Sequence, residues 1–334
     1  MFARTTVLAG ILATALSGVA GAADLPTKAA AVKPAAEEPF FIVNDNSISF
    51  HYEFTATNPG AGTTPKDVFT FTHFDVWKYG TNFFNVDLLK ATNGTATPAA
   101  PCGGPPAFPT GCTGYTEIYG FFRSTFGFNE IFNTKAFSVG PLQDVSLMVG
   151  ADANVDNTYL GSAKRSIEAG IRFSFGAPYG GLINLTPNAY KEWQHDGYGS
   201  GFGYNPSGDV SFDTTWGFEY LYVQPLGFLP PSIPLTFTAF GTIHGAKGCG
   251  EVCATVANGG AGGPPRAIEY YTQENLSLDV GKMMGGKPGM LSTWVGYRYW
   301  YNKFGIDHSQ PVALVPAAAF AIESTWLVGA TMAF

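Results

Sequence analysis

Glu117, Tyr119, Phe121 and Arg123 fall on alternate residues of "TEIYGFFRSTFGFN". Successive side chains of an extended chain point to opposite faces, so these four would share one face. Rings there can stack on a planar solute, and carboxylates can accept hydrogen bonds from its hydroxyl groups. The same alternation places Glu53, Asn85 and Asp87 on such faces, then Glu168 and Arg172, Asn188 and Tyr190, Asp213 and Glu219, Glu269 and Tyr271, and Arg298. These sixteen residues are the candidates for lining a substrate path. His51, Lys164, Glu192, Asp279 and Trp300 complete the inward set. Inward polarity also has a purely structural reading, because internal ion pairs such as Arg123 with Glu117 or Glu168 stabilise a wall without touching any solute. The set holds nine acids and four bases, an excess expected to concentrate cations along the path.

Catalysis has weaker support. A nucleophilic serine needs a histidine within hydrogen-bond reach and a third polar group to hold it. The candidates, His195 with Ser200 and His308 with Ser309, fall in loop-like segments and lack the His-x-Ser-Asn pattern of outer-membrane phospholipases. The glycine runs at 199–203 and 259–263 precede no helical pattern, which excludes a phosphate-cradling loop. Neither catalytic residues nor a cofactor site is read from the sequence.

The elements that must position these residues are strands. About twelve segments of alternating hydrophobicity, separated by Gly, Pro, Asn and Asp clusters, run 46–57, 66–77, 82–91, 114–128, 143–154, 163–176, 181–193, 210–223, 234–246, 266–283, 289–302 and 322–334. Ile48, Phe50, Tyr52 and Phe54 alternate with Ser47, Ser49, His51 and Glu53. A dozen residues suffice to cross a bilayer when tilted. Aromatic clusters such as "YRYWY" at 297–301 suit interfacial girdles, and the chain ends on the alternating "IESTWLVGATMAF", resembling the C-terminal signal by which barrel-assembly machinery recognises its clients through a terminal Phe, here Phe334. The expected fold is all-β: a transmembrane antiparallel barrel of about twelve strands over 46–334, with both termini periplasmic. Lys191 and Glu274 fall on its lipid side by alternation, where a charge is costly, so a bulge or local slip is expected near each.

Residues 1–22 read as a signal peptide closing on Ala20-Gly21-Ala22, and 23–45, rich in Ala, Pro, Lys and Glu, as a flexible periplasmic leader. The expected location is the outer membrane of a Gram-negative bacterium after cleavage. The formal charge of −7, one unit more negative without Arg4, leaves no basic footprint for nucleic acid. Cys102 with Cys112, and Cys249 with Cys253, read as local disulfides in outer loops, since no histidine stands at zinc-ligand spacing.

Five segments together carry a family resemblance: "WKYGTNFFNVDLL", "TEIYGFFRSTFGFN", "FSVGPLQDVSLMVGAD", "NLTPNAYKEWQHDGYG" and "STWLVGATMAF". In order and spacing along the barrel they resemble the nucleoside-specific, channel-forming Tsx-like outer-membrane family. Thr81 and Asn85 replace the usual acid and third aromatic, and the first outer loop, "TNPGAG", lacks an Arg-Phe pair. The resemblance implies a narrow twelve-stranded channel that passes nucleosides, holding bases between rings and sugars by ionisable side chains. Twelve strands give a bore too narrow for a general porin of 16–18 strands. A small-solute porin, a surface receptor or adhesin barrel and, least favoured, a lipid hydrolase are the alternatives.

Overall fold

The computed structural model describes residues 40–59, 62–91, 115–157, 162–195, 208–250, 265–311 and 316–334. Cys102, Cys112 and Cys253 lie outside these, as does Ser200; Cys249 is disulfide-bonded.

Thirteen strands make one sheet: β1 (Phe41–Asn58), β2 (Gly62–Trp77), β3 (Gly80–Ala91), β4 (Thr116–Gly127), β5 (Leu142–Asp156), β6 (Arg165–Ala177), β7 (Gly181–His195), β8 (Asp209–Ser211), β9 (Thr215–Pro225), β10 (Leu235–His244), β11 (Glu269–Asp279), β12 (Leu291–Tyr301) and β13 (Ile322–Ala333). Sequence neighbours pair antiparallel, and β1 pairs with β13 to close the ring. β8 and β9 both pair with β7 and act as one interrupted stave, so the barrel has twelve. Closure removes the unpaired edges that an open sheet would expose. At the seam the Phe334 amide donates to the Asn46 carbonyl at 2.9 Å.

Each of the twelve expected segments overlaps one stave. The single interruption falls at residues 212–214, where Asp213 leaves the ladder and its amide donates to the Lys247 carbonyl at 2.9 Å. One barrel end carries the termini and mostly short turns, the tightest being Lys78-Tyr79 between β2 and β3. The other end carries mostly longer connections. They are called the turn end and the loop end below.

The two faces separate solvents. Outward positions hold Phe50, Phe54, Phe69, Ile118, Ile167, Val295, Trp326 and Val328, all exposed, while their strand neighbours Glu53, Glu117, Glu168 and Glu323 are buried inside. An apolar exterior around a polar interior inverts a water-soluble protein and matches a membrane-spanning barrel. No helix among the described residues is long and apolar enough to cross a membrane. The strands do the crossing.

The expected slips at Lys191 and Glu274 are absent. Lys191 pairs with the exposed Ile167, and Glu274 with Ala239 and Tyr297, in unbroken registers. Both side chains are on the outer face. Lys191 lies near the loop end of β7, where its ammonium reaches the Phe212 carbonyl and the Trp193 ring at 5.6 Å. Glu274 is midway along β11 and accepts from the Thr272 hydroxyl at 2.5 Å. One hydrogen bond reduces the cost of this carboxylate, whereas a bulge would break several ladder bonds. Glu274→Leu is therefore expected to stabilise the barrel by about 1 kcal/mol, below the ~2–4 kcal/mol cost of a midplane cation. Urea midpoints of vesicle-embedded protein measure this, and a lower midpoint for the variant would show that the carboxylate has an unseen partner.

His73 is also outward. Its ring nitrogens contact Asn46 Oδ1 at 2.9 Å and Asp75 Oδ2 at 3.1 Å, and Asn82 donates to Asp75 at 2.9 Å. This string lies near the turn end, with Phe40 stacked on Trp77 at 5.9 Å beside it.

Candidate functional site

Alternation along unbroken strands puts Glu53, Asn85, Asp87, Glu117, Tyr119, Phe121, Arg123, Glu168, Arg172, Asn188, Tyr190, Glu219, Glu269, Tyr271 and Arg298 on the interior face. Asp213 is a correction: it is exposed in the break between β8 and β9, off the strand ladder that forms the wall. Asp279 accepts from the Lys282 and Gly289 amides at 2.8 Å each, capping a turn. The local reason is the same in both cases, since each residue stands where its strand stops.

Arg123 organises one side of the interior. It pairs with Asp152 at 2.6 Å, with Glu219 at 2.7 Å and with Glu168. Those carboxylates come from β5, β9 and β6, so the guanidinium bridges staves that are not neighbours. Its five donors in a planar fork suit several acceptors at once. Gly150 makes the room, because a Cβ there would lie 2.7 Å from Arg123 Cδ. Glu117 pairs instead with Lys66, at 3.0 Å.

On the opposite side Arg298 pairs with Glu53 at 2.5 Å, donates to Gln273 at 3.0 Å and has its guanidinium 5.9 Å from the Tyr271 ring. Asp87 accepts from Thr70 at 2.7 Å and Asn85 at 3.0 Å. Asn85, Asp87, Tyr271, Phe121 and Arg298 thus place rings, amides and ionisable groups on the interior face. Phe83 packs on Phe121 with centroids 5.4 Å apart.

The loop end is different. Lys247, which follows β10, reaches Glu192 at 2.5 Å and Glu269 at 3.5 Å. Lys303, which follows β12, reaches Glu323 at 2.9 Å and the Thr57 carbonyl at 2.7 Å. Both lysines and their acids are buried. Phe304 is buried beside them, its carbonyl accepting from Gln194 at 3.2 Å and its amide donating to Glu269 at 3.1 Å. Burial lowers the Lys303 pKa from its ordinary value, while Glu323 works in the opposite direction. Trp300, a candidate stacking ring, has the Lys303 ammonium 4.4 Å from its centroid and Phe304 at 5.4 Å. Tyr190 stacks on His244 at 3.7 Å. Tyr190 is buried, whereas Trp300 is half-buried. Toward the turn end, the inward Ser47, Ser49, Thr72 and Phe83 are only half-buried.

Sequence reasoning missed Lys66, Asp152 and Glu323, although alternation marks all three. It could not have found Lys247 or Lys303, which lie outside the strand pattern. Asp152 and Glu323 take the place of Asp213 and Asp279 in the inward set, and Lys66, Lys247 and Lys303 add three bases to its four. These bases reduce the expected acidic bias.

The catalytic alternative gains no geometry among the described residues. His308 Nδ1 contacts Asn302 Oδ1 at 2.9 Å, and the Ser309 hydroxyl donates to Asp307 at 2.7 Å instead of to the histidine.

No family model matches this chain. No curated protein matches it either. Among solved structures it is similar to a bacterial polysaccharide outer membrane secretin, at 9% identity and TM-score 0.33 over 87% of this chain and 98% of that one. It is similar to the transport unit of the autotransporter AIDA-I from Escherichia coli, at 7% identity and TM-score 0.32 over 90% and 92%. The outer membrane protein OpdK from Pseudomonas aeruginosa gives 7% identity and TM-score 0.26 over 87% and 98%. No function transfers at such scores, and the barrel rests on its own strand pairing.

Proposed function

We propose that this protein is a substrate-selective diffusion channel of the Gram-negative outer membrane, with nucleosides as its leading solutes. The observation that carries the reading is an interior face on which rings stand among carboxylates, amides and guanidinium groups, inside a closed barrel whose outside is apolar. Asp87, Asn85, Tyr271, Phe121 and Arg298 supply stacking faces beside donors and acceptors. Nucleoside preference rests on the sequence resemblance to Tsx-like channels. The signal-peptide pattern at 1–22 and the terminal Phe334 support export and handling by the barrel-assembly machinery. In that orientation the loop end faces outward and the termini face the periplasm.

Diffusive passage needs weak, repeated contacts, because a solute must leave as readily as it enters. Stacking worth about 1–3 kcal/mol per base is in that range. Protein reconstituted in liposomes is expected to admit adenosine or thymidine faster than a sugar of equal size, with excess nucleoside competing. Equal uptake of both without competition would reduce the reading to a general small-solute porin.

A further inference from the structure

We propose that the loop end carries a gate: the segments 245–250 and 302–306 form a plug latched to the wall by Lys247 and Lys303. This rests on the channel reading above and concerns its regulation.

Four observations carry it. The segments are not strands, yet they enter the barrel mouth and bury their side chains there. Lys247, Lys303 and Phe304 are 1%, 3% and 2% exposed. They also bind each other, since Gly305 packs where a Cβ would meet Lys247 Cε at 2.8 Å and Arg266 Cβ at 3.0 Å. Gly305 has φ 72°, so a side chain there meets both a clash and an unfavourable backbone.

The second observation is what holds the plug. Its side chains and the Phe304 backbone make ion pairs and hydrogen bonds with Glu192, Glu269, Glu323, Gln194 and Thr57, and further backbone bonds join Gly245 to Trp216 at 2.9 Å, Lys247 to Asp213 at 2.9 Å and Lys303 to Ala321 at 2.8 Å. Replacing water around two charges by one buried pair is close to break-even. Withdrawing the plug rehydrates both partners of each pair and breaks these few backbone bonds, fewer than the full ladder lost when two staves separate.

Third, the plug backbone departs from relaxed geometry. Asn302 and Phe304 are non-glycine residues at φ 52° and 59°. Such conformations persist where surrounding contacts over-determine them. Here those contacts include Asn302 Nδ2 donating to the Ile268 carbonyl at 2.9 Å and the two hydrogen bonds of Phe304.

Fourth, the plug lies against the rings at the loop end, where Tyr190 is 1% exposed and Trp300 is half-buried. His244, which precedes the plug, stacks on Tyr190 at 3.7 Å, and Lys303 of the plug stands 4.4 Å from the Trp300 centroid. Release would uncover Trp300 together with Glu192, Glu269 and Glu323. Glu192 and Glu269 would then lose their lysine and Glu323 would keep only Arg298, at 3.6 Å, so the mouth would gain net negative charge and an open channel would favour cations over anions.

The test uses the full chain in planar bilayers and in liposomes. Single lysine substitutions leave a carboxylate buried and unpaired, so each latch is removed as a pair: Lys247→Met with Glu192→Gln, and Lys303→Met with Glu323→Gln. Folding of each is checked by heat-modifiable electrophoretic mobility. Both pair variants are expected to raise single-channel open probability and adenosine uptake about tenfold over the native protein. Lys247→Met alone, if folded, should also conduct with cation selectivity. Equal, measurable conductance in native and pair-variant protein would overturn the gate and leave the channel standing. Folded variants that pass neither ions nor nucleoside would overturn both.

Discussion

Replacing Arg123 with methionine is expected to lower the unfolding free energy by about 3–5 kcal/mol, the cost of removing one partner from a buried ion pair. Asp152, Glu168 and Glu219 converge on that single guanidinium, which is 8% exposed. Without it, three carboxylates from three staves face one another with no cation at contact distance on their side. Glu219→Gln should lose less, because Arg123 keeps two acids and the amide oxygen still accepts. Urea titrations in lipid-detergent micelles, followed by tryptophan fluorescence and heat-modifiable mobility, measure both. A loss under about 1 kcal/mol for Arg123→Met, the level of a solvated surface pair, would mean that these acids are hydrated by lumen water and that the network contributes little.

The second large effect is steric. Gly80 opens β3 after the two-residue turn, and a Cβ there would lie 1.8 Å from the Thr125 carbonyl oxygen of β4. That atom belongs to a ladder and cannot swing aside as a side-chain tip can. Gly80→Ala is expected to destabilise by about 3 kcal/mol or more, the upper range of overpacking, and to leave most of the protein unfolded at refolding equilibrium in mild urea. Gly140→Ala provides the comparison. It has φ 57° and nothing within 4 Å of a Cβ, so only local backbone strain of about 1–2 kcal/mol applies. If Gly80→Ala matches Gly140→Ala in midpoint, the turn and β4 are not packed as closely as described.

These predictions meet the gate at one physical point. A charge buried in the wall is held by elements that cannot leave, whereas Lys247 and Lys303 are held by segments that can. Removing Arg123 therefore acts on stability, and removing the latch pairs acts on conduction. A stability loss of several kcal/mol from a latch-pair variant would argue that the plug is part of the folded frame.

Alternation by itself determined the staves, their number and which side of each faces inward. The period of two in "TEIYGFFRS" and in "IESTWLVGATMAF" is imposed by strand geometry and a boundary between lipid and lumen, so it is written locally. It also marked Lys191 and Glu274 as outward. A charge facing lipid is costly by alternation alone, and the partners that reduce that cost, the Thr272 hydroxyl for Glu274 and the Phe212 carbonyl for Lys191, are set by the fold. The resemblance to a nucleoside-channel family likewise belongs to the sequence.

Only the tertiary structure decided who pairs with whom. Arg123 and Glu219 are 96 residues apart, and Glu53 and Arg298 are 245 apart. No periodicity encodes such contacts, since they follow from ring closure and from the stagger between staves. The break at 212–214, which takes Asp213 out of the wall, depends on the amide of Asp213 meeting the carbonyl of Lys247, a residue that follows β10. Lys247 and Lys303 themselves sit in stretches with no strand pattern. Their buried positions are fixed by the three glutamates that await them across the barrel mouth, and those glutamates come together only once the ring has closed.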